Sequence, residues 1–211
     1  MVSSGRKAVQ VEGEELTDDW FAASALDVAP ALIGARLVAR DCEGIIVETE
    51  AYLDDEASHA VTRRPSAYDI MCSQGRLYVY KVHTQLCLNI TCGDGPGAVL
   101  LRAVEPRVGI AEMLARRRLR NPGLIVDQSR KKSLAALASG PGRLCQAFGV
   151  ELGWSGEPLG RNLRIFARQA VGSIVAGPRV GISKATELPW RFCLADSPFL
   201  SRPAKGSPTG P

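Results

Sequence analysis

The stretch that decides the fold is Ile45–His59, which reads IIVETEAYLDDEASH. Its first half is rich in β-branched residues and begins just after a glycine, which predicts a β-strand. Because side chains alternate between the faces of a strand, Glu48, Glu50 and Tyr52 are expected on one face. The opposite face is expected to carry Val47, Thr49 and Ala51. The pattern fits a functional site or the solvated face of an edge strand, and it does not say which carboxylate would act.

The residues around this stretch predict an antiparallel sheet. Arg36–Asp41 alternates like a strand and turns at Gly44 into the quoted stretch, which predicts a β-hairpin. Further strands are predicted at Arg76–His83, Leu86–Thr91, Ala98–Val104, Leu163–Ala167, Ser173–Ala176 and Arg191–Leu194. The first three of these are close together in sequence and predict a meander. Helices are predicted at Val108–Leu119, at Leu134–Ala138 and from Gly140 onward.

The composition indicates a single domain. A chain of 211 residues usually forms one domain, and 45% hydrophobic residues are enough to bury a substantial core. Residues 1–15 are polar and aperiodic and are expected to be flexible, and residues 203–211 are expected to form a disordered tail. The domain itself is expected at residues 16–202. We see no secretory signal and no membrane-spanning run, and we therefore expect a cytoplasmic protein with no membrane partner.

Cysteine usage and charge narrow the classes of function. The six cysteines form no C-x-x-C pair and the two histidines are too few for a typical zinc site, so buried thiols in a reducing cytosol are expected. The net charge of +4 and the pI of about 8.8 are compatible with a polyanionic partner without proving one.

Three basic segments are candidates for phosphate contacts. Arg116–Arg118 lies late in a predicted helix, where basic side chains either favour the helix dipole or contact phosphate. Gly140–Arg143 opens a helix, and a glycine-rich helix N-terminus is a possible phosphate seat, although Gly-Pro-Gly also simply separates helices. The third segment is the basic loop Pro178–Lys184.

Several motifs along the chain resemble one known family. They are Ile46–Tyr52, His59, Leu77–Tyr80, Asn89-Ile90, Val99–Ala103, Gly140–Ala147 and Arg179–Ser183. In this order and spacing they closely resemble the alkyladenine (3-methyladenine) DNA glycosylase family, from about Leu32 to Arg202. The resemblance implies a single compact α+β domain, a curved antiparallel sheet flanked by helices, and no metal or cofactor. It also implies a monomer whose partner is double-stranded DNA containing damaged purines.

The resemblance implies a role for each matching residue. Glu50 falls at the general base that activates water, and Arg102 at the arginine that helps to organise base and water. Tyr52, His59 and Tyr80 fall where the flipped base is sandwiched. Asn89 falls at the asparagine that discriminates against the exocyclic amine of guanine. Contacts to DNA are expected from His83, Lys81, Arg143, Arg179 and Lys184.

Two departures from the family pattern lie at the DNA-facing wall of the expected pocket. His83 occupies the position at which the family usually has a tyrosine that wedges into the minor groove. Tyr68–Cys72 replaces an Arg-Asn and Met-Phe pattern. The resemblance favours a monofunctional glycosylase, and the His83 departure keeps open a non-catalytic relative that binds damaged DNA.

A third hypothesis comes from the acidic residues. A metal-dependent hydrolase would use Glu48, Glu50, Asp54, Asp55 and Glu56, because hard cations prefer carboxylate ligands.

Overall fold

The computed structural model describes residues 13–93, 95–168 and 172–209. The strands are β1 (Arg36–Ala39), β2 (Cys42–Tyr52), β3 (Leu77–Val82), β4 (Gln85–Thr91), β5 (Ala98–Val108), β6 (Leu163–Phe166), β7 (Ile174–Gly177), β8 (Arg191–Leu194) and β9 (Ser207–Pro208). All nine belong to one antiparallel sheet. With helices flanking the sheet, the predicted α+β class is confirmed.

The helices are short and lie between the strands. They are α1 (Ala25–Ala31), α2 (His59–Thr62), α3 (Tyr68–Met71), α4 (Ile110–Arg118), α5 (Lys131–Leu134) and α6 (Pro141–Phe148). Two 3-10 turns, Asp18–Ala22 and Leu152–Trp154, complete the set. The helix predicted at Leu134–Ala138 therefore lies one turn earlier, as α5. None of the described helices is long and apolar enough to cross a membrane.

Strand β2 lies inside the sheet and carries the stretch that organises the sequence. It pairs with β5 along one edge, and with β1 and then β8 along the other. The order across the sheet is β3-β4-β5-β2-β8-β7-β9, and β1 joins β2 to β6. The predicted hairpin of β1 with β2 and the predicted meander of β3, β4 and β5 are confirmed. Because both edges of β2 are paired, the edge-strand alternative is wrong.

Three register shifts interrupt the pairing of β2 with β5, and two of them flank Glu48. In the register of the two strands, Val47 of β2 and Arg102 of β5 have no partner across the ladder. A bulge re-aims the side chains around it. Val47 consequently lies in a small apolar cluster with Phe199, whereas Thr49 donates its hydroxyl to a carbonyl of α1. The prediction that Val47 and Thr49 share a face is therefore wrong.

The main core lies between the sheet and three helices. Helix α1 packs on β2 and β5, α6 packs on β4 and β5, and α4 packs on α6. Helix α6 buries Leu144, Cys145, Ala147 and Phe148, which follow the spacing of one helical face. Burial of this face fixes the N-terminal turn of α6 beside the sheet.

The Arg116–Arg118 run bonds within the protein. Arg116 donates to the carbonyl of Ala147 at the end of α6, at 3.1 Å. Arg117 donates to Gln146 in the same helix, and Arg118 to a carbonyl in the loop after α4. Helix packing therefore explains this run without a phosphate.

Chain on both sides of the predicted domain of residues 16–202 joins the sheet. The backbone N–H of Ala167 donates to the carbonyl of Glu14 at 2.7 Å. Strand β9, within the predicted disordered tail, pairs with β7. These backbone hydrogen bonds extend the ordered chain at each end. The predictions for residues 1–12 and 210–211 lie outside the described residues.

Candidate active site

A cavity of about 460 Å³ opens where several elements end. The end of β2, the start of α2, the β3–β4 hairpin, the first turn of α6 and residues 180–182 surround it. A cavity of this size is in the range of small-molecule sites. The predicted site residues that line it are Tyr52, His59, Tyr80, His83, Asn89 and Arg102. The structure therefore brings together side chains that are far apart in the sequence.

One wall of the cavity is aromatic. Tyr78 and Tyr80 lie on the same face of β3, with ring centroids 5.2 Å apart. The ring of His59 stands edge-on to Tyr80 at 4.2 Å, and its Nδ1 shares a hydrogen bond of 2.9 Å with the Tyr78 hydroxyl. Burial, together with the charge of Arg63, lowers the pKa of His59 to about 4. The wall is therefore uncharged at neutral pH.

Glu50 lies at the floor, behind two of the lining side chains. Its Oε2 accepts hydrogen bonds from the Tyr52 hydroxyl at 2.9 Å and from Nη1 of Arg102 at 3.3 Å. Its Oε1 accepts the backbone N–H of Val180 at 2.6 Å. Burial raises the pKa of Glu50, and these donors only partly oppose that effect. A carboxylate has about four acceptor positions, so three donors leave one position on Glu50 open.

Glu48 lies in a cluster of donors next to this floor. Its Oε1 accepts from Nε of Arg102 at 2.8 Å, Nε of Arg191 at 2.8 Å and the hydroxyl of Ser201 at 2.7 Å. Its Oε2 accepts the backbone N–H of Ser201. Although burial raises the pKa of Glu48, Arg102, Ser201 and Arg191 outweigh it and hold the pKa below its ordinary value. Glu48 therefore has four donors, one more than Glu50, with three on Oε1 and one on Oε2.

Arg102 joins the two carboxylates. Its position at the bulge in β5 turns its side chain so that Nε donates to Glu48 and Nη1 to Glu50. Its Nη2 donates to the Ser201 hydroxyl at 3.1 Å. The guanidinium also lines the cavity, so it places a fixed positive charge beside Glu50.

Asn89 and Cys87 of β4 also line the cavity. The Asn89 amide donates to the carbonyl of Tyr78 at 3.0 Å, which fixes the orientation of the amide. Cys87 lies opposite Tyr80 in the β3–β4 ladder. Burial raises the pKa of the Cys87 thiol, so this thiol is neutral. The sequence predicted buried thiols, and it did not place one in the site.

The β3–β4 hairpin forms the rim. Its tip is the two-residue turn between Val82 and Gln85, in which His83 adopts a left-handed backbone with φ of 52°. The side chain of Gln85 accepts from Gln146 at 2.7 Å, and it packs so closely on Gly142 that an added Cβ would lie 2.4 Å from its Oε1. The tip is therefore held against α6, with His83 exposed at the mouth of the cavity.

The residues predicted to contact DNA fall into two groups. Lys81, Arg143 and Lys184 are exposed, so their side chains are free to reach a phosphate. Arg179 is not, because its side chain is 0% exposed and both of its Nη atoms bond to Asp55. In this structure the Arg179 guanidinium is therefore occupied within the protein, and its contact with DNA stays a prediction.

Two of the acids proposed as metal ligands form ion pairs with arginines. Asp54 pairs with Arg64 at 3.1 Å and Asp55 pairs with Arg179 at 2.7 Å. Glu56 is exposed. These residues therefore do not converge with Glu48 and Glu50.

Sequence reasoning missed several residues that shape the site. They are Tyr78, Val180, Arg191 and Ser201. Tyr78 could have been found from the strand alternation, since it shares the face of Tyr80. The other three reach Glu48 or Glu50 from at least 130 residues further along the chain, and no local pattern indicates that approach.

Comparisons with known proteins agree on one family. A family model described as methylpurine-DNA glycosylase matches residues 19–198. A relative from Nitrobacter winogradskyi is 40% identical over 203 residues, covering 93% of this chain and 92% of the relative. Relatives from Rhodopseudomonas palustris and Rhizobium meliloti are 42% and 44% identical, covering 90% and 87% of this chain and 90% and 95% of their own length. All three carry the name "Putative 3-methyladenine DNA glycosylase".

Proposed function

Because the chain belongs to the methylpurine-DNA glycosylase family, we propose that it is a monofunctional DNA glycosylase of base excision repair. It flips alkylated purines such as 3-methyladenine and 7-methylguanine out of double-stranded DNA, with hypoxanthine and ethenoadenine as further candidates. It then hydrolyses the N-glycosidic bond. As the resemblance to the family implies, we also propose that it acts as a monomer.

The observation that carries the proposal is the position of Glu50. This carboxylate has an open acceptor position, lies next to a positive charge, and adjoins a cavity with aromatic walls. A general base needs a pKa that is raised toward the working pH, and burial raises the pKa of Glu50. The combination suits activation of a water molecule beside a flat aromatic substrate.

The cavity walls support binding of a flipped purine. Tyr52, Tyr80 and the neutral ring of His59 offer faces and edges to a base without reading its sequence context. A purine alkylated at N3 or N7 carries a positive charge, which adds cation–π attraction to these rings. Flipping costs a few kcal/mol and is least costly for damaged bases, so damaged purines enter preferentially.

Cleavage of the N-glycosidic bond is proposed for the residues at the floor of the cavity. Loss of the base builds positive charge on the sugar, as in other glycoside hydrolyses, and the Glu50 carboxylate offsets that charge while accepting a proton from water. Glu50 is buried behind the Tyr52 hydroxyl and Arg102, so the water enters where these two side chains meet. Arg102 holds the carboxylate in place and also orients the water.

Selection among purines is proposed for Asn89. Its amide is fixed by the Tyr78 carbonyl at the cavity wall. A fixed amide disfavours a base whose exocyclic amine meets it, so normal guanine is rejected. This role follows from the family resemblance of the position.

The DNA duplex is proposed to lie across the hairpin rim. His83 enters the stack in place of the flipped nucleotide, and Lys81, Arg143 and Lys184 contact phosphates. Imidazole is smaller and more polar than phenol, so it fills the gap less well than the usual tyrosine. Neutral lesions such as hypoxanthine should suffer most, because they lack both cation–π attraction and a good leaving group.

The His83 imidazole is smaller than the usual tyrosine, and this favours one alternative function, that of a non-catalytic relative that only binds damaged DNA. The test is release of free base from duplexes containing 7-methylguanine, 3-methyladenine or hypoxanthine, measured by chromatography. We expect release of free base that is insensitive to chelator and leaves an uncleaved abasic strand. Lesion-specific binding without release would support the alternative, and loss of release with chelator would support a metal-dependent hydrolase.

The wedge assignment is tested on the same duplexes with His83→Tyr and His83→Ala. Both variants keep a β-carbon in the left-handed position, so they share any backbone strain with the wild type. We expect the tyrosine variant to gain on hypoxanthine and the alanine variant to lose on both lesions. Unchanged excision and DNA affinity in both variants would rule His83 out as the wedge.

A further inference from the structure

The side chain of Arg179 is fully enclosed beside the cavity. Its side chain is 0% exposed, and Nη1 and Nη2 donate to the two carboxylate oxygens of Asp55 at 3.1 and 2.7 Å. Nη1 also donates to the carbonyl of Ala51, next to Tyr52, at 3.0 Å. Replacing a buried ion pair by apolar residues is often neutral or stabilising. Stability alone therefore gives little reason for a charge at this position.

The guanidinium of Arg179 contacts two aromatic rings. Its Cζ is 4.6 Å from the ring centroid of Tyr52 and 5.0 Å from that of Trp190. Among the described residues, nothing accepts a hydrogen bond from its buried Nε. An unpaired buried donor is costly, so the group is positioned for stacking at the expense of one hydrogen bond. Because Arg179 does not line the cavity and Tyr52 does, the arginine supports that ring from outside.

The same backbone also reaches Glu50. The residue after Arg179 is Val180, whose N–H donates to Oε1 of Glu50 at 2.6 Å. The side chain of Arg179 ties this segment to Asp55 and Ala51, at the end of β2 and just beyond it. The position of the Val180 N–H is therefore set by the same residue that supports Tyr52.

We propose that Arg179 is a positioning residue that fixes two parts of the site at once, the Tyr52 ring that receives the base and the Glu50 carboxylate that activates water. The inference rests on the proposed glycosylase function. It replaces the expected DNA contact of this arginine with a role inside the protein. Loss of Arg179 should consequently weaken lesion binding and slow bond cleavage together, because each depends on a different contact of the same residue.

The test uses Arg179→Met, Arg179→Lys and the control Arg36→Met in the full chain. Arg36 also stacks on an aromatic ring, with its Cζ 4.1 Å from the Phe166 centroid, and pairs with Glu43 at 2.8 Å. It does not line the cavity. Single-turnover excision of 7-methylguanine and the affinity for a lesion duplex are measured for each variant, together with the thermal midpoint.

We expect Arg179→Met to lower the single-turnover rate by roughly tenfold to a hundredfold, the scale of a small misplacement of reacting groups. Its affinity for lesion duplex should fall as well, while Arg36→Met keeps both. Arg179→Lys should keep the ion pair with Asp55 and much of the thermal midpoint. It should not restore the excision rate, because an ammonium group neither stacks on an aromatic ring as a planar guanidinium does nor donates two parallel hydrogen bonds to a carboxylate. Wild-type rate and affinity in Arg179→Met, or an equal loss in Arg36→Met, would overturn the inference.

The pH profile separates positioning from a general loss of fold. The groups that face the Glu50 carboxylate are Arg102 of β5, Tyr80 of β3, Cys87 of β4, Cys193 of β8, and Glu48 and Tyr52 of its own strand. These groups remain in Arg179→Met, whereas the Val180 N–H, which lowers the pKa of Glu50, is released. The acidic limb of the rate profile should therefore move to higher pH. An unmoved limb would contradict the inference.

Two further measurements cover the cases in which these variants are uninformative. If Arg179→Met does not fold, Asp55→Asn loosens the same guanidinium and should move the acidic limb in the same direction; no movement would overturn the inference. If the wild type releases no base, the proposed function fails. The inference is then judged by the Glu50 carboxyl titration, followed by ¹³C NMR, which should move upward in Arg179→Met and would overturn the inference if it did not.

Discussion

Strand β2 carries Glu48 into a cluster of arginines and Glu50 to the floor of an aromatic cavity, although only one residue separates them. Glu48 has four donors and a pKa held below its ordinary value. Glu50 has three donors, an open acceptor position and a pKa raised by burial. Arg102 is bonded to both. Glu48 and Glu50 are therefore the same residue type on the same strand and are equally buried, and they differ in the number of hydrogen-bond donors around the carboxylate.

This difference separates a structural carboxylate from a reactive one. Paired titratable groups whose environments push their pKa values apart are a recurring basis for division of labour in active sites. The Glu48 carboxylate stabilises the folded state at neutral pH, because its folded pKa lies below the unfolded value. The Glu50 carboxylate has the opposite effect on stability, since its folded pKa is raised. We therefore propose Glu50 as the general base and Glu48 as the anchor of Arg102.

The largest expected effect is that of Glu50→Gln. Removing the general base should reduce single-turnover excision by roughly two to four orders of magnitude. Lesion affinity should persist, and the thermal midpoint should stay the same or rise, because a raised pKa means that the ionised group destabilises the fold. Glu43→Gln, on the same strand but paired with Arg36, is the control. Near-wild-type excision in Glu50→Gln would transfer the role to Glu48.

Glu48→Gln should show the reverse pattern. Removing one partner of a buried charge cluster typically costs about 3–5 kcal/mol, because the arginines are left uncompensated. We expect the free energy of unfolding, measured by chemical denaturation, to fall by about that amount. Excision at low temperature should exceed that of Glu50→Gln. A stable Glu48→Gln variant that is as inactive as Glu50→Gln would remove the distinction between the two carboxylates.

Tyr52→Phe sharpens the comparison by deleting one donor of Glu50. The ring that receives the base is kept, and the hydrogen bond of 2.9 Å to Oε2 is lost. Since that bond lowers the pKa of Glu50, the acidic limb of the rate profile should move to higher pH, with a rate several-fold lower at acidic pH. Tyr68→Phe is the control, because Tyr68 does not line the cavity. An identical profile in Tyr52→Phe and wild type would show that the hydroxyl does not act on Glu50.

The smallest expected effect is in the pH dependence of stability. The stabilisation due to Glu48 is present above the unfolded pKa of a glutamate, about 4.3, and is lost as the pH falls through the lower folded value. The stability difference between wild type and Glu48→Gln should therefore shrink with acidification. The difference in stability between Glu50→Gln and wild type should also shrink with acidification, but here the variant is the more stable of the two at neutral pH. Denaturation curves at several pH values measure both, and differences of equal sign would contradict the assignment.

Much of the fold could be predicted from local sequence. Runs of β-branched and apolar residues next to glycine-containing turns located β2, β3, β4 and β5 to within a few residues, because such runs are typical of strands. The predicted start of α4 was less accurate. β5 runs on to Val108 and the helix begins only after Gly109, whose φ of 76° allows the sharp change of direction. A strand that runs into a helix leaves no pattern at its end.

Motif order in the sequence predicted which residues meet at the cavity. The order of motifs identified Glu50, Tyr52, His59, Tyr80, Asn89 and Arg102 as one site, and five of these six line one cavity with Glu50 directly behind it. The strand pattern alone could not rank Glu48 against Glu50, nor show that Arg179 is enclosed. The surroundings of the two carboxylates depend on the tertiary structure, because the donors involved come from Val180, Arg191 and Ser201. The chemistry of a carboxylate depends on which groups surround it, and chain folding brings those groups from segments that share no local pattern.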